Sequence, residues 1–326
     1  PRGSAFTIRK YADEPFTPVD LVEYGTFSIE EMAYLWLCIE NNKSLIFAGG
    51  TASGKTTSMN AVSMFIPPRA KVLSIEDTRE LSLYHDNWLS SVTRERLHEG
   101  SDIDMYDLLR SALRHRPEFI IVGEVRGNEA VTLFQAMNTG HTTFSTMHAD
   151  SIETVINRLE NEPINVPRAM VQSLDLLCVQ TLTRVDGERV RRSKTIGEIG
   201  KVDQRTGELD YSRAFTWQPE TDTFDQSDLG LLEEIQRERG WSRAERKREV
   251  NRRKRFLELL VELGTTEYRT FTALVNEYYA APERVMDRLE AEADADAESD
   301  ADTDADGVRD EIRADENAHV DADAGG

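Results

Sequence analysis

Short apolar runs alternate with amphipathic stretches through the first half of the chain. Ser44–Ala48, Val72–Ile75, Phe119–Val122 and Thr142–Thr146 each read as a buried strand. Between them, Met105–His115 and Asn128–Met137 carry apolar residues at helical spacing. Ser28–Glu40 predicts a further helix, with Ser28 as N-cap and Glu31 three residues on, the spacing of a capping box. Strands separated by helices predict an α/β fold, a mostly parallel doubly wound sheet with its ligand crevice at the strand C-termini.

After residue 176 the pattern changes. Leu176–Leu182, Lys194–Val202 and Leu209–Trp217 read as strands joined through Asp186-Gly187 and Thr206-Gly207 turns, a β-hairpin region. Residues 228–290 are helical in pattern. Within them, Arg237–Arg255 holds ten bases and three acids, which predicts a solvated helix face, with a partner-docking surface as the sharper alternative. The organisation predicted is an entry segment at 1–25 with a short strand Ala5–Arg9, an α/β core at 26–185, a strand-then-helix portion at 186–290, and a disordered acidic tail at 291–326.

Composition refines this picture. The 326 residues are 39% hydrophobic, enough to bury a core, and 39 Lys and Arg face 60 Asp and Glu for a net charge of −21. Residues 291–326 alone hold 14 acids and two arginines, a net of −12, leaving −9 for residues 1–290. A polyanion does not wrap duplex DNA by neutralising phosphates, so no nucleic-acid partner is expected. Only eight of the 39 bases are Lys, and acid excess with scarce lysine suggests a salt-loving source. Cys38 and Cys178 are too few for a disulfide framework or a metal cluster of their own, so a reduced compartment and no structural zinc are expected. The longest apolar run, Met32–Ile39, is far shorter than a membrane span. A start at Pro1 with no signal-peptide pattern predicts a piece of a longer chain.

The strongest chemical signal is Gly49-Gly-Thr-Ala-Ser-Gly-Lys55-Thr56, a G-x-x-x-x-G-K-T phosphate loop directly after a strand and before a helix. Gly49, Gly50, Thr51, Ala52, Ser53 and Gly54 curl the backbone so that amide groups cradle phosphate oxygens, and Thr57 continues the site into the helix. Lys55 supplies a point charge to the β- and γ-phosphates, and the Thr56 hydroxyl is a Mg²⁺ ligand. The strand Phe119–Val122 ends in Gly123-Glu124, a carboxylate that can hold a Mg²⁺-bound water or polarise an attacking one. Glu76 and Asp77 follow the strand Val72–Ile75, and either is placed to activate water. His141 and His148 flank a Ser/Thr-rich strand from which they can sense a γ-phosphate, without the spacing expected of a zinc pair. Asp302-Thr-Asp-Ala-Asp-Gly307 imitates a calcium loop, but Arg313 stands where the bidentate acid belongs.

In this order the boxes resemble the secretion ATPases of type II and type IV pilus systems: phosphate loop, acidic Ile75–Leu81, Arg116–Gly127, then Gly140-His141 through His148-Ala149-Asp150. The wording of the first two boxes, Trp88–Arg94, Ala214–Trp217 and Thr221–Phe224 are similar to the archaeal branch. The resemblance implies a RecA-like hexameric motor that hydrolyses MgATP, with ATP and Mg²⁺ as its ligands. Glu76 would be the general base, Glu124 would arrange the metal's water shell, and His141 and His148 would monitor the γ-phosphate. Arg94, Arg114 and Arg126 fall in segments that supply catalytic arginines, and Arg2 and Arg9 in what resembles the end of an absent N-terminal domain. The implied work is assembly of a pilus-like filament from the cytoplasmic face of the membrane, through an integral platform protein. A swimming-filament motor is the near alternative. A nucleic-acid translocase and a non-hydrolysing nucleotide scaffold are the distant ones.

Overall fold

Alternate residues of the first buried strand feed two different cores, and the architecture follows from that. The computed structural model describes residues 3, 6, 8, 14–94 and 102–298. The expected strand Ala5–Arg9 falls largely outside them, as do Arg2, Arg9 and the calcium-like fragment. In chain order the elements are α1 (Pro18–Glu23), α2 (Ile29–Glu40), β1 (Leu45–Gly49), α3 (Lys55–Ser63), β2 (Val72–Glu76) and β3 (Trp88–Val92). Next come α4 (Met105–Arg114), β4 (Phe119–Val122), α5 (Glu129–Asn138), β5 (Thr142–Met147), α6 (Ile152–Glu160) and α7 (Arg168–Val171). Then follow β6 (Leu176–Val185), β7 (Glu188–Val202), β8 (Leu209–Gln218), β9 (Thr223–Gln226), α8 (Gly230–Arg239), α9 (Arg243–Glu262) and α10 (Tyr268–Ala280). A last helix, α11, covers 282–298.

The strands form one nine-stranded sheet in the order β3-β2-β4-β5-β1-β6-β7-β8-β9. Every pair from β3 to β6 is parallel, and β6 to β9 are antiparallel. The sheet therefore runs without interruption across residues 185 and 186, through the Asp186-Gly187 hairpin. Leu45 and Phe47 enter a core shared with α2, α3, α9 and α10, whereas Ile46 and Ala48 enter one shared with α4, α5 and α6. This is the mostly parallel, helix-covered sheet that the alternating pattern predicts, with β6 to β9 as an antiparallel extension. β3 and β9 were not legible as strands: both lie at the sheet's edges, and their residues are largely intermediate or exposed.

Helix α2 anchors the C-terminal helices to the sheet. Its capping box forms as read, Ser28 Oγ accepting from Glu31 N at 3.1 Å and Glu31 Oε2 from Ser28 N at 2.8 Å. Trp36 stacks on Phe65 with centroids 4.9 Å apart and meets Phe256 and Tyr278 at 5.3 and 4.7 Å. The basic stretch is only in part the solvated face expected. The helical period turns Arg253 inward beside Phe256 and Leu257, where it is 3% exposed and ion-paired with Glu40 of α2 and with Glu249. Lys254 reaches Glu30 at 2.6 Å and Arg252 reaches Glu283 at 2.7 Å, so the same stretch tethers α9 to α2 and α11. α11 continues to residue 298, eight residues into the predicted tail. Alanine and glutamate there favour helix, and Ala293 still packs against the core.

Two outcomes test this packing. Arg253→Met strands the carboxylates of Glu40 and Glu249 and is expected to remove about 3 kcal/mol of stability, read from chemical denaturation. Glu31 is fully buried, and desolvation pushes its pKa up to about 8. With the unfolded value near the ordinary 4.5 of a glutamate, the unfolded chain releases this proton first. Stability is greatest below the unfolded pKa and falls by up to about 1.4 kcal/mol per pH unit as pH rises toward 8. Glu31→Gln should flatten that slope in melts recorded between those limits.

Candidate functional site

The crevice opens at the C-terminal ends of β1, β2, β4 and β5, where the sequence places its four boxes. Leaving β1, the chain turns through Gly49 at φ +159°, Ala52 at φ +61° and Gly54 at φ +97°. Gly54 starts α3 with no side-chain cap, which leaves the first amides of the helix facing the cleft. A Cβ on Gly49 would lie 2.3 Å from Ser53 Oγ and 2.6 Å from the carbonyl oxygen of Gln180, so only glycine fits. Lys55 Nζ is buried in the loop's concavity and donates to the carbonyls of Gly49 at 3.0 Å and Gly50 at 2.8 Å. Burial lowers its pKa and the charge of Glu124 raises it, with burial prevailing. Gln180 of β6 braces the helix by donating to Ser58 Oγ at 2.6 Å.

A cleft of about 650 Å³ extends over this loop and is lined by Thr51–Thr57, Glu80, Glu124, Arg126, Thr146, His148, Arg189, Arg191 and others. Glu124 Oε1 lies 3.2 Å from His148 Nε2, and its Oε2 is paired with Arg126, which also lies 3.8 Å from Asp77. Thr146 Oγ1 donates to Gly123 O at 2.7 Å and ties β5 to the end of β4. Glu76 sits one layer behind. Its Oε1 accepts from the amides of Glu80 and Leu81, both at 2.9 Å, while Oε2 is buried with no hydrogen-bond partner. Desolvation raises its pKa against the opposing pull of those two amides.

Of the residues singled out in the sequence, the structure brings together Gly49–Thr57, Glu124, Arg126 and His148, with Glu76 adjoining. His141 does not join them. It precedes β5 while His148 follows it, and seven extended residues separate the two by roughly 20 Å. Its Nδ1 lies instead 3.2 Å from Thr139 Oγ1 and 3.3 Å from Ala136 O. A strand carries its two flanks to opposite ends of the sheet, so His141 and His148 do not meet at one phosphate. Arg114 ends α4 at that far end and is exposed. Arg94 follows the outer strand β3, exposed and bridged to Ile103, beside the crevice but not lining it. Arg189 and Arg191 were missed. They reach the loop through the β6–β7 hairpin, and Arg191 Nε donates to Ala52 O at 3.0 Å. Their alternate spacing in a strand was the available signal.

Lys55, Arg126, Arg189 and Arg191 outnumber Glu80 and Glu124 along the cleft, which suits a polyanion. Thr56 and Glu124 lie in the same cleft and suit a hard cation held jointly with phosphate. Among the described residues no three His, Cys, Asp or Glu side chains converge as a metal site. A Mg²⁺ ion would therefore complete its shell with phosphate oxygens and water.

Comparison with known proteins shows the family of the chain. Residues 2–273 match the family described as type II/IV secretion system protein. The uncharacterized protein MJ1287 of Methanocaldococcus jannaschii is 45% identical over 263 residues, covering 80% of this chain and 97% of its own length. MJ0900 of the same organism is 45% identical over 222 residues, 68% of this chain but 40% of its own. The VirB11 ATPase from the Brucella suis type IV secretion system, solved with sulphate, is similar at 26% identity and a TM-score of 0.44, over 58% of this chain and 60% of that one.

Gly49→Ala should push the loop out of register with β6. Nucleotide affinity is expected to fall at least about tenfold and stability by about 1–3 kcal/mol, checked by labelled-nucleotide titration and thermal melting.

Proposed function

The chain belongs to the type II/IV secretion system protein family, and on that premise we propose that it is an ATPase that hydrolyses MgATP to drive assembly of a secreted or surface filament. The observation that carries this reading is the convergence of Lys55, Thr56, Glu124, Arg126 and His148 on one positively charged cleft at the strand C-termini. Lys55 and the amides of residues 49–57 bind the β- and γ-phosphates. Thr56, and Glu124 through water, hold Mg²⁺, which supplies neutralising charge to the phosphate oxygens. His148 and Arg126 flank Glu124 where the terminal phosphate ends, and so read its presence.

Glu76 is the general base in this reading. Burial makes its carboxylate more basic than one in water, and Oε2 has no protein donor to displace. Arg126, Arg189 and Arg191 supply charge to the phosphates from within the chain, and Arg94 is exposed toward a neighbouring copy. A hexameric ring completes each site from an adjacent subunit. In this reading residues 26–185 are the ATPase core and 186–290 its C-terminal portion, the two sharing one sheet.

The filament reading, a type IV pilus-like assembly, rests on the order and wording of the four boxes and on residues 88–94 and 214–224. Among the described residues no helix is long and apolar enough to cross a membrane. In this reading work at a membrane passes through an integral platform protein, with this chain on the membrane's cytoplasmic face.

Two substitutions separate binding from turnover. Lys55→Ala is expected to lose nucleotide binding in a fluorescence titration. Glu124→Gln should bind ATP within a few-fold of the parent but release phosphate at least about 100-fold more slowly. Phosphate release that survives both changes overturns the site.

A further inference from the structure

At one end of the cleft stands an aromatic pair that the phosphate chemistry leaves unused. Phe16 and Tyr24 bracket α1, and both line the same cleft as the phosphate loop. Their rings meet edge to face, with centroids 5.6 Å apart and planes at 86°. Phe16 is 46% and Tyr24 59% exposed, while Pro18, Val19 and Leu21 between them are buried. Aromatic rings left open at the wall of a polar cavity mark a surface that a flat apolar ligand covers.

This wall is held at a fixed distance from the phosphate loop. Tyr24 O accepts from Arg192 Nη1 at 3.0 Å, and Thr26 O accepts from Ser193 N at 2.7 Å. Arg192 is itself buried and gripped by both oxygens of Asp222 at 2.7 Å. The preceding residue, Arg191, donates to Ala52 of the loop. Consecutive residues of β7 thus clamp the two walls of the cleft, one the phosphate loop and the other the aromatic pair.

We propose that Phe16 and Tyr24 form the nucleobase wall of this cleft, and that Arg192 is the positioning residue that sets its distance from the phosphate loop. The proposal rests on the reading of the cleft as a nucleotide site. A cleft of about 650 Å³ accommodates a whole nucleoside triphosphate. Ring packing recognises the face of a base, which every base possesses, rather than the donor and acceptor pattern of its edge. The wall therefore favours nucleotides over tripolyphosphate and separates adenine from guanine only weakly.

Calorimetric titration of the full chain with ATP, GTP and inorganic tripolyphosphate tests this. Phe16→Ala/Tyr24→Ala should bind ATP and GTP roughly 10- to 100-fold more weakly and tripolyphosphate within about twofold of the parent. Tyr24→Phe, which keeps the ring, should match the parent for all three. Arg192→Lys, if its melting temperature is retained, should weaken ATP and spare tripolyphosphate. Unchanged ATP affinity in the double variant overturns the proposal, as does an equal loss of tripolyphosphate. If the parent binds none of the three, or Lys55→Ala binds all of them as the parent does, the nucleotide reading itself falls.

Discussion

The phosphate loop takes its shape because the end of β1 is pressed against β6 at Gly49. The two strands pair in parallel there, Gly49 opposite Gln180, with no room for a side chain between the glycine and the carbonyl of Gln180. At the same residue the antiparallel pairing of β6 with β7 slips its register, between Val179 and Gln180. The extra residue is Lys194 of β7, while Gln180 Nε2 reaches Ser58 of α3. One residue thus ends the parallel half of the sheet, braces the helix behind the loop and begins the hairpin that returns Arg189 and Arg191 over it. The antiparallel extension is therefore part of the crevice, although in sequence it begins well over a hundred residues after the loop it touches.

That separation explains what the sequence made legible. β1, β2, β4 and β5 were readable because burial on both faces requires continuous apolar or small residues, and the boxes were readable because each is local. β3 escaped because an edge strand such as Trp88–Val92 is free to alternate exposed and half-buried residues. Arg253 looked like one of ten similar bases. Only the helical phase set by Phe256 and Leu257 turns it inward to Glu40, more than two hundred residues earlier. Phe16 and Tyr24 fall in the entry segment, where nothing local says that β7 will hold the backbone at Tyr24 and Thr26. His141 failed for the opposite reason: a motif joined two residues that a strand must hold apart.

The carboxylates at the ends of β2 and β4 are placed in different surroundings by the same sheet. Glu124 faces the cleft with Arg126 on one oxygen and His148 beside the other. Glu76 lies behind it and packs beside Gly123, where a Cβ would stand 3.4 Å from Glu76 Cγ, an ordinary van der Waals contact. Glu76 is fixed through Oε1 to the amides of Glu80 and Leu81, so the acidic box is folded around its own first carboxylate. Its second oxygen is buried and unpartnered, a costly arrangement that favours the protonated form. The price of that burial falls on the ground state, and it is relieved when Oε2 gains a donor or a proton. In the proposed reaction Glu76 is the group that takes a proton, and Glu124, facing the cleft, the one that holds a cation's water in place.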